Sequence, residues 1–359
     1  MAGNIYNNIK VSGISVVIPD YAQTSNNQDC NQFFSSPKGV SNVDMCESAA
    51  NDLIKNLSID TNSLDAVIFI HQYPDHLSPS SSHIIHKRFN LPATCSVFDI
   101  YHGGSGYVYG LWVAGSMLST GFYKKIMLLA GEHINEQNTN FELDLCLSSA
   151  GSATLLEYDT NASPSFFNII TDSSKYEDII IPAGAYRLPV THEILDEKIK
   201  DKAGHEWSLM QKIYNKPSFE QFIYDNVPEC VKDVLSLSGS SVDNIDFFAF
   251  NQFNKKVVNH LAEKLNIPND KYSAETFTKY GNNTVISSLV NLLDCMKNKL
   301  IESNNKICFI SYGEGLSCTS AIIDISKIYC SNILKVDFKN CIMPEDYTSY
   351  WIERIKNSK

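Results

Sequence analysis

Five patterns occur twice in this chain, in the same order, and that restricts the fold to two related halves. An apolar–Asp pair opens a strand candidate in LDAVIFIHQ from Leu64 and again in IDFFAFNQ from Ile245. An amphipathic helix precedes each, roughly Asp44 to Leu57 and Ser218 to Ser236. RFNLPAT (Arg88 to Thr94) answers to KLNIPND (Lys264 to Asp270), and KKIMLLAGEH from Lys124 to NKICFISYGEG from Asn305. GSATLLEY from Gly151 answers to TSAIIDIS from Thr319. Short apolar runs alternating with helices predict buried strands joined by crossovers. Twice over, they predict an α/β fold whose halves each carry a mostly buried sheet.

Between the repeated strands lies DIYHGGSGYVYGL, Asp99 to Leu111, a strand end running directly into a helix. That helix, YVYGLWVAGSMLSTG, is apolar nearly all round, so it belongs inside the protein. Gly110, Ala114, Gly115 and Ser116 allow other layers to approach it closely, and Gly121 is placed to end it. Its start at Gly104 to Gly106 is then a buried positive dipole end with unpaired backbone N–H groups. Such an end favours a thiolate, an oxyanion or a carbonyl oxygen.

Bulk properties narrow the function. With 43% apolar and 19% charged residues the chain is globular. A net charge of −11 and the lack of a Lys/Arg cluster argue against nucleic acid. No apolar stretch is long enough to cross a bilayer and no secretory leader opens the sequence, so the expectation is a cytoplasmic protein without a membrane partner. The ten cysteines contain no CxxC pair, and most are expected to be buried thiols. His71, His76, His83 and His86 are close in sequence, but surface or capping roles explain them without a metal. No metal and no cofactor are expected.

The ordered motifs from about Ile9 to Ile325 resemble the ketoacyl-ACP synthase III branch of the thiolase-fold condensing enzymes. IKVSGISVVIPD is similar to the family's opening strand, and LDAVIFIHQYPDHLSPSSSHIIHKRFNLPATCSVFDI to its first βαβ unit. LSSAGSATLLEY and SYGEGLSCTSAII are similar to its glycine-rich turn and loop. The resemblance implies a thiolase-like fold with mixed sheets packed around buried helices in five layers, α-β-α-β-α. It implies an N-terminal half over residues 1–165, a connecting, tunnel and dimer segment over 166–217, a C-terminal half over 218–326, and an extension over 327–359. The extension reads as a docking tail or a solvated helix.

The family's chemistry needs a cysteine to take the acyl group, with a histidine and an asparagine to assist decarboxylation of a malonyl thioester. The cysteine position falls on Gly104, the histidine position on Asn251 of NQFN, and the asparagine position on Asn282 of YGNNT. Gly104 has no side chain to acylate, and Asn251 cannot exchange protons near neutral pH. Ser105 either caps or lines the helix start or stands in as nucleophile, with His102 as base or as a wall of the substrate site. In SYGEG the family would carry glycines whose backbone N–H, with that of position 104, binds an oxyanion. Glu314 there is a base whose pKa burial raises, or it turns outward or forms half of a buried ion pair closing the pocket. Gly315 and Asn283 complete the expected substrate-binding set, though Asn282 and Asn283 also suit a turn. Cys318 reads as a core thiol.

Between Pro19 and Ser48 there is no counterpart of the Trp and Arg with which the housekeeping enzymes grip coenzyme A, which favours a carrier-protein donor. Three functions follow. The first is an atypical acyltransferase taking acyl-carrier protein or acyl-CoA in specialised fatty-acid or polyketide-type metabolism. The second is an inactive subunit paired with an active ketosynthase, and the third a ketosynthase using Ser105. The first predicts a homodimer and the second a heterodimer.

Overall fold

The computed structural model describes residues 3–25, 27–133, 146–201, 204, 206–338 and 347–357. Two mixed sheets form the frame. The first has six strands in the order Tyr329–Val336, Ile9–Pro19, Ala150–Tyr158, Lys125–Glu132, Ala66–His71, Ser96–Tyr101. The second has five, in the order Asn4–Tyr6, Ser165–Thr171, Ser317–Ser326, Asn304–Gly313, Phe247–Phe250.

The repeat extends to single residues. Asp65 and Asp246, the acidic members of the two apolar–Asp pairs, do the same work. Asp65 Oδ2 accepts from the backbone N–H of Lys124 and Lys125 at 2.6 and 2.9 Å, and Asp246 Oδ2 from that of Lys306 at 2.7 Å. Each carboxylate ties the start of its strand to the start of the next. Asn90 and Asn266, the matched asparagines of RFN and KLN, both turn left-handed just beyond a helix, at φ 47° and 53°. Asparagine tolerates that conformation better than most residues.

The layers follow from what the apolar faces bury. Gly106–Ser119 and Ser287–Glu302 lie between the sheets, sharing one core with Ile68 and Ile70 of the first and Phe309 and Ile323 of the second. Asn42–Leu57 and Ser81–Arg88 cover the outer face of the first sheet, and Lys216–Ser238 and Lys255–Lys264 that of the second. This is the five-layer thiolase-like arrangement. Gly110 lets the central helix pack close to the first sheet: a Cβ there would meet the Ile70 side chain, which would have to shift. The helix ends at Ser119, and Gly121 follows at φ 73°.

The chain ends cross between halves. Asn4–Tyr6 pairs with Ser165–Thr171 in the second sheet, whereas Tyr329–Val336 pairs with Ile9–Pro19 in the first. Ser165–Thr171, at the start of the expected connecting segment, is thus a sheet strand, paired with Ser317–Ser326. The first part of the expected extension is a sheet strand as well. Neither is predicted, because both lie outside the repeated segments on which the strand reading rests. Residues 339–346 of that extension, Cys341 included, lie outside the described residues. Beyond them Tyr347–Lys356 is helical, and Tyr347 meets His76, ring stacked on ring and hydroxyl to Nε2 at 3.2 Å. No described helix is long and apolar enough to cross a membrane.

Candidate functional site

Strand Ser96–Tyr101 delivers the chain to a turn, His102 to Ser105, that starts the central helix at Gly106. There the backbone meets the glycine-rich turn after Asn304–Gly313. A Cβ at Gly104 would lie closer than 3.0 Å to the Tyr312 carbonyl oxygen, and one at Gly313 would press on Gly104 N at 2.5 Å. Glycine is required at both positions by close approach of main chain to main chain. The position to which the resemblance assigns a nucleophile therefore has no side chain and no room for one.

Glu314 occupies what remains. Its Oε2 accepts from the Gly104 N–H at 3.4 Å, so a carboxylate of the protein sits on a helix-start amide that an oxyanion would use. Its Oε1 accepts from Gln72 Nε2 at 2.6 Å and Lys212 Nζ at 2.8 Å. Burial would raise the Glu314 pKa, but the Lys212 charge and these hydrogen bonds outweigh it and hold the carboxyl at about 2. Lys212 loses basicity through burial yet ends above its ordinary value because Glu314 and Tyr73 surround it. Of the readings open for Glu314, the geometry is that of the buried ion pair, and its pKa is lowered rather than raised.

Asn251 is committed to structure. Its Nδ2 donates to the Gly104 carbonyl at 3.1 Å and the Thr284 carbonyl at 3.0 Å, which uses both amide protons. Asn282 lines the same small cavity as Asn251 and Gly104, about 50 Å³ in volume, while its Oδ1 accepts from Thr284 N at 2.9 Å in a side-chain turn. Asn283, expected at the substrate, faces inward instead: it is buried, with Nδ2 donating to the Ser148 carbonyl at 3.3 Å, and lines neither cavity described here.

Ser105 is also turned away. It is fully buried, makes no side-chain capping bond, and shares its hydroxyl with Ser317 Oγ at 2.8 Å and His102 Nδ1 at 3.2 Å. The His102 contact is the one a nucleophile–base pair would make. However, burial lowers the His102 pKa, and Ser105 reaches neither cavity. His102 itself stacks on Tyr109, ring centroids 4.3 Å apart, and with Gly315 lines a second, outer cavity of about 410 Å³. The Lys212–Glu314 pair lines both cavities and forms the partition between them.

Sequence reasoning missed Lys212, Gln72 and Glu132. Lys212 comes from the segment outside the repeat and no local pattern marks it. Glu132 ends a predicted strand; it is fully buried, hydrogen-bonded by the Thr284 hydroxyl and the His133 N–H. Burial raises its pKa to about 7 against the opposing effects of Thr284 and Lys212. An acidic residue closing an apolar run was the available signal.

The remaining candidates settle into the frame. His71 is buried, not superficial, and meets Asp99 at 3.0 Å; Asp99 also accepts from Ser81 N and Ser82 N at the start of helix Ser81–Arg88. His83 and His86 hold Ser80 and the Pro92 carbonyl at the two ends of that helix. Of the nine described cysteines, eight are buried, Cys318 among them. Among the described residues no cluster of three or more His, Cys, Asp or Glu is arranged to hold a metal ion.

Comparison with known proteins places this geometry in context. The family model for the C-terminal part of 3-oxoacyl-[acyl-carrier-protein] synthase III matches residues 235–325. A putative 3-oxoacyl-[acyl-carrier-protein] synthase 3 of Campylobacter jejuni is 31% identical over 296 residues, 81% of each chain. A β-ketoacyl-[acyl-carrier-protein] synthase III of Caldanaerobacter subterraneus is 25% identical over 79% of this chain and 83% of its own. The crystal structure of a 3-oxoacyl-(acyl-carrier protein) synthase from Burkholderia xenovorans LB400 superposes with a TM-score of 0.83 at 22% identity, over 93% of this chain and 99% of that one.

Proposed function

This chain belongs to the 3-oxoacyl-[acyl-carrier-protein] synthase III family, and from that premise we propose that it is a non-catalytic member, working as companion subunit to an active condensing enzyme that handles acyl thioesters. One observation carries the proposal: the Glu314 carboxylate, held by Lys212 and Gln72, rests on the Gly104 N–H. Condensation by the family route requires an acyl-accepting nucleophile, a proton carrier and an open oxyanion site. Position 104 has no side chain, Asn251 has spent its amide protons on backbone carbonyls, and the helix-start amide holds an internal anion. Keeping the fold while filling the site suits a protein retained for its surfaces.

The direct test has two parts. Intact-mass measurement after incubation with acetyl- and octanoyl-thioesters of coenzyme A and of carrier protein is expected to show no adduct; an acyl group on Ser105 would restore the ketosynthase reading. Co-expression with active ketoacyl synthase III-type enzymes of the source genome, followed by size exclusion, is expected to give a mixed complex. A homodimer that ignores them would end the companion role.

The two cavities meeting at the ion pair support a second reading, direct transfer between a bound thioester and a bound acceptor without a covalent intermediate. It predicts an acylated product that appears only when donor and amine or alcohol acceptor are both present. On the companion reading the partner is the active condensing enzyme, on the transfer reading a carrier-protein or coenzyme A thioester, and on both the setting is specialised fatty-acid or polyketide-type metabolism.

A further inference from the structure

The wall between the cavities carries two opposite charges, and that fixes what can bind there. Lys212 Nζ and Glu314 Oε1 are 2.8 Å apart, yet 13% and 26% of their side chains remain accessible, and both line the outer cavity. At about 410 Å³ this cavity has the size of a small-molecule site. Tyr73, Tyr101 and His102 supply aromatic walls, and Ile179 to Ile181 an aliphatic one.

We propose that the outer cavity binds a small zwitterion, an α-amino acid with an aromatic or aliphatic side chain, which inserts its charges between Lys212 and Glu314. The argument is one of charge conservation in a desolvated site. A ligand with a carboxylate alone would engage Lys212 and strand Glu314; an amine alone would engage Glu314 and strand Lys212. Either leaves an uncompensated charge in a poorly solvated place, which is strongly unfavourable. A zwitterion takes one charge to each partner, so every charge stays paired. In an α-amino acid both charged groups sit on one carbon, the spacing of a contact ion pair. Gln72 Nε2, on the same Oε1 as Lys212, and the Gly104 N–H, on Oε2, also hold Glu314, so the carboxylate stays in place when Lys212 turns toward the ligand. The side chain then lies along the Tyr73 and Ile180 walls, where Lys212 is 5.7 Å above the Tyr73 ring.

Calorimetric titration of the full chain tests this with L-phenylalanine, L-leucine, 3-phenylpropionate, phenethylamine and octanoate. The expected result is binding of one or both amino acids at least tenfold tighter than either single-charge analogue. A Lys212→Met, Glu314→Gln double variant, which keeps the site neutral, is expected to weaken amino-acid binding at least tenfold. No amino-acid binding, equal binding of 3-phenylpropionate or phenethylamine, or preferential binding of octanoate overturns the proposal. The ligand series on the unaltered protein decides the matter even where the double variant does not fold. The proposal is independent of the companion role: binding is read on the isolated chain, and its failure leaves the adduct and co-elution measurements untouched.

Discussion

Replacing Gly104 by alanine adds a single methyl group where two backbone turns touch. That methyl would come closer than 3.0 Å to the Tyr312 carbonyl oxygen and 3.3 Å from Asn251 Nδ2. Tyr312 cannot easily give way. Its strand is paired residue by residue with Ser317–Ser326, and its hydroxyl donates to the Asn251 carbonyl at 3.0 Å. Two effects oppose each other. Removing a glycine from the unfolded chain stabilises by about 0.4–1 kcal/mol where the backbone is compatible. Overpacking a closed site costs about 1–3 kcal/mol. The obstacle is backbone rather than a flexible side chain, so the upper part of that range applies, leaving a net loss of about 1–2 kcal/mol. With an unfolding entropy of about 2.1 cal/mol/K per residue, a chain of this size loses roughly 1–3 °C in Tm. Scanning calorimetry of wild type and Gly104→Ala reads this directly. An unchanged or higher Tm would mean that position 104 has room for a side chain, and the claim of a closed nucleophile site would fail. Gly104→Cys carries the same Cβ and is expected to be no more stable than the alanine variant.

Other perturbations address the charges. Lys212→Met leaves Glu314 without its cation; because the pair is partly accessible, the cost is about 2–3 kcal/mol in urea unfolding, and adding Glu314→Gln should recover most of it. Glu314 is held at about 2 against an ordinary 4.5, so its stabilisation is present above pH 4.5 and disappears as pH falls toward 2; the acid limb of the Glu314→Gln stability curve should be flatter than wild type. Glu132 has the opposite sign. Its pKa is raised to about 7, so the native state holds a proton the unfolded state releases, and stability declines as pH rises from about 4.5 through 7. Glu132→Gln should remove that decline, and identical pH profiles would refute the assignment. Burial alone would raise the Asp99 pKa, but His71 and the amides of Ser81 and Ser82 keep it low; Asp99→Ala should cost about 1–2 kcal/mol through the unfastened helix start.

Much of the frame was legible because it is written in local pattern. Apolar runs marked the strands, the Asp65 and Asp246 positions marked where they begin, and the match of RFNLPAT to KLNIPND marked corresponding places in both halves. The all-apolar composition after Gly106 was enough to bury that helix between layers. The glycine at 104, where the resemblance implies a nucleophile, is likewise legible at one position, since glycine has no side chain to acylate.

What the tertiary structure alone decided is the electrostatics of the site and the pairing of the chain ends. From its neighbours Glu314 reads equally as a base, as turned outward or as half of an ion pair; the ion pair forms because Lys212, distant in sequence and outside the repeat, folds back onto it. Asn251 looks available until its amide protons are found on the carbonyls of Gly104 and Thr284, and Asn283 looks like a ligand contact until it is seen facing Ser148. Tyr329–Val336 reads as an added tail until it is found beside Ile9–Pro19. Secondary structure answers to residues a few positions away, so a linear pattern records it. A pKa, a spent hydrogen bond or a shared sheet edge answers to whatever the fold brings within a few ångströms, and that neighbour can lie anywhere in the chain.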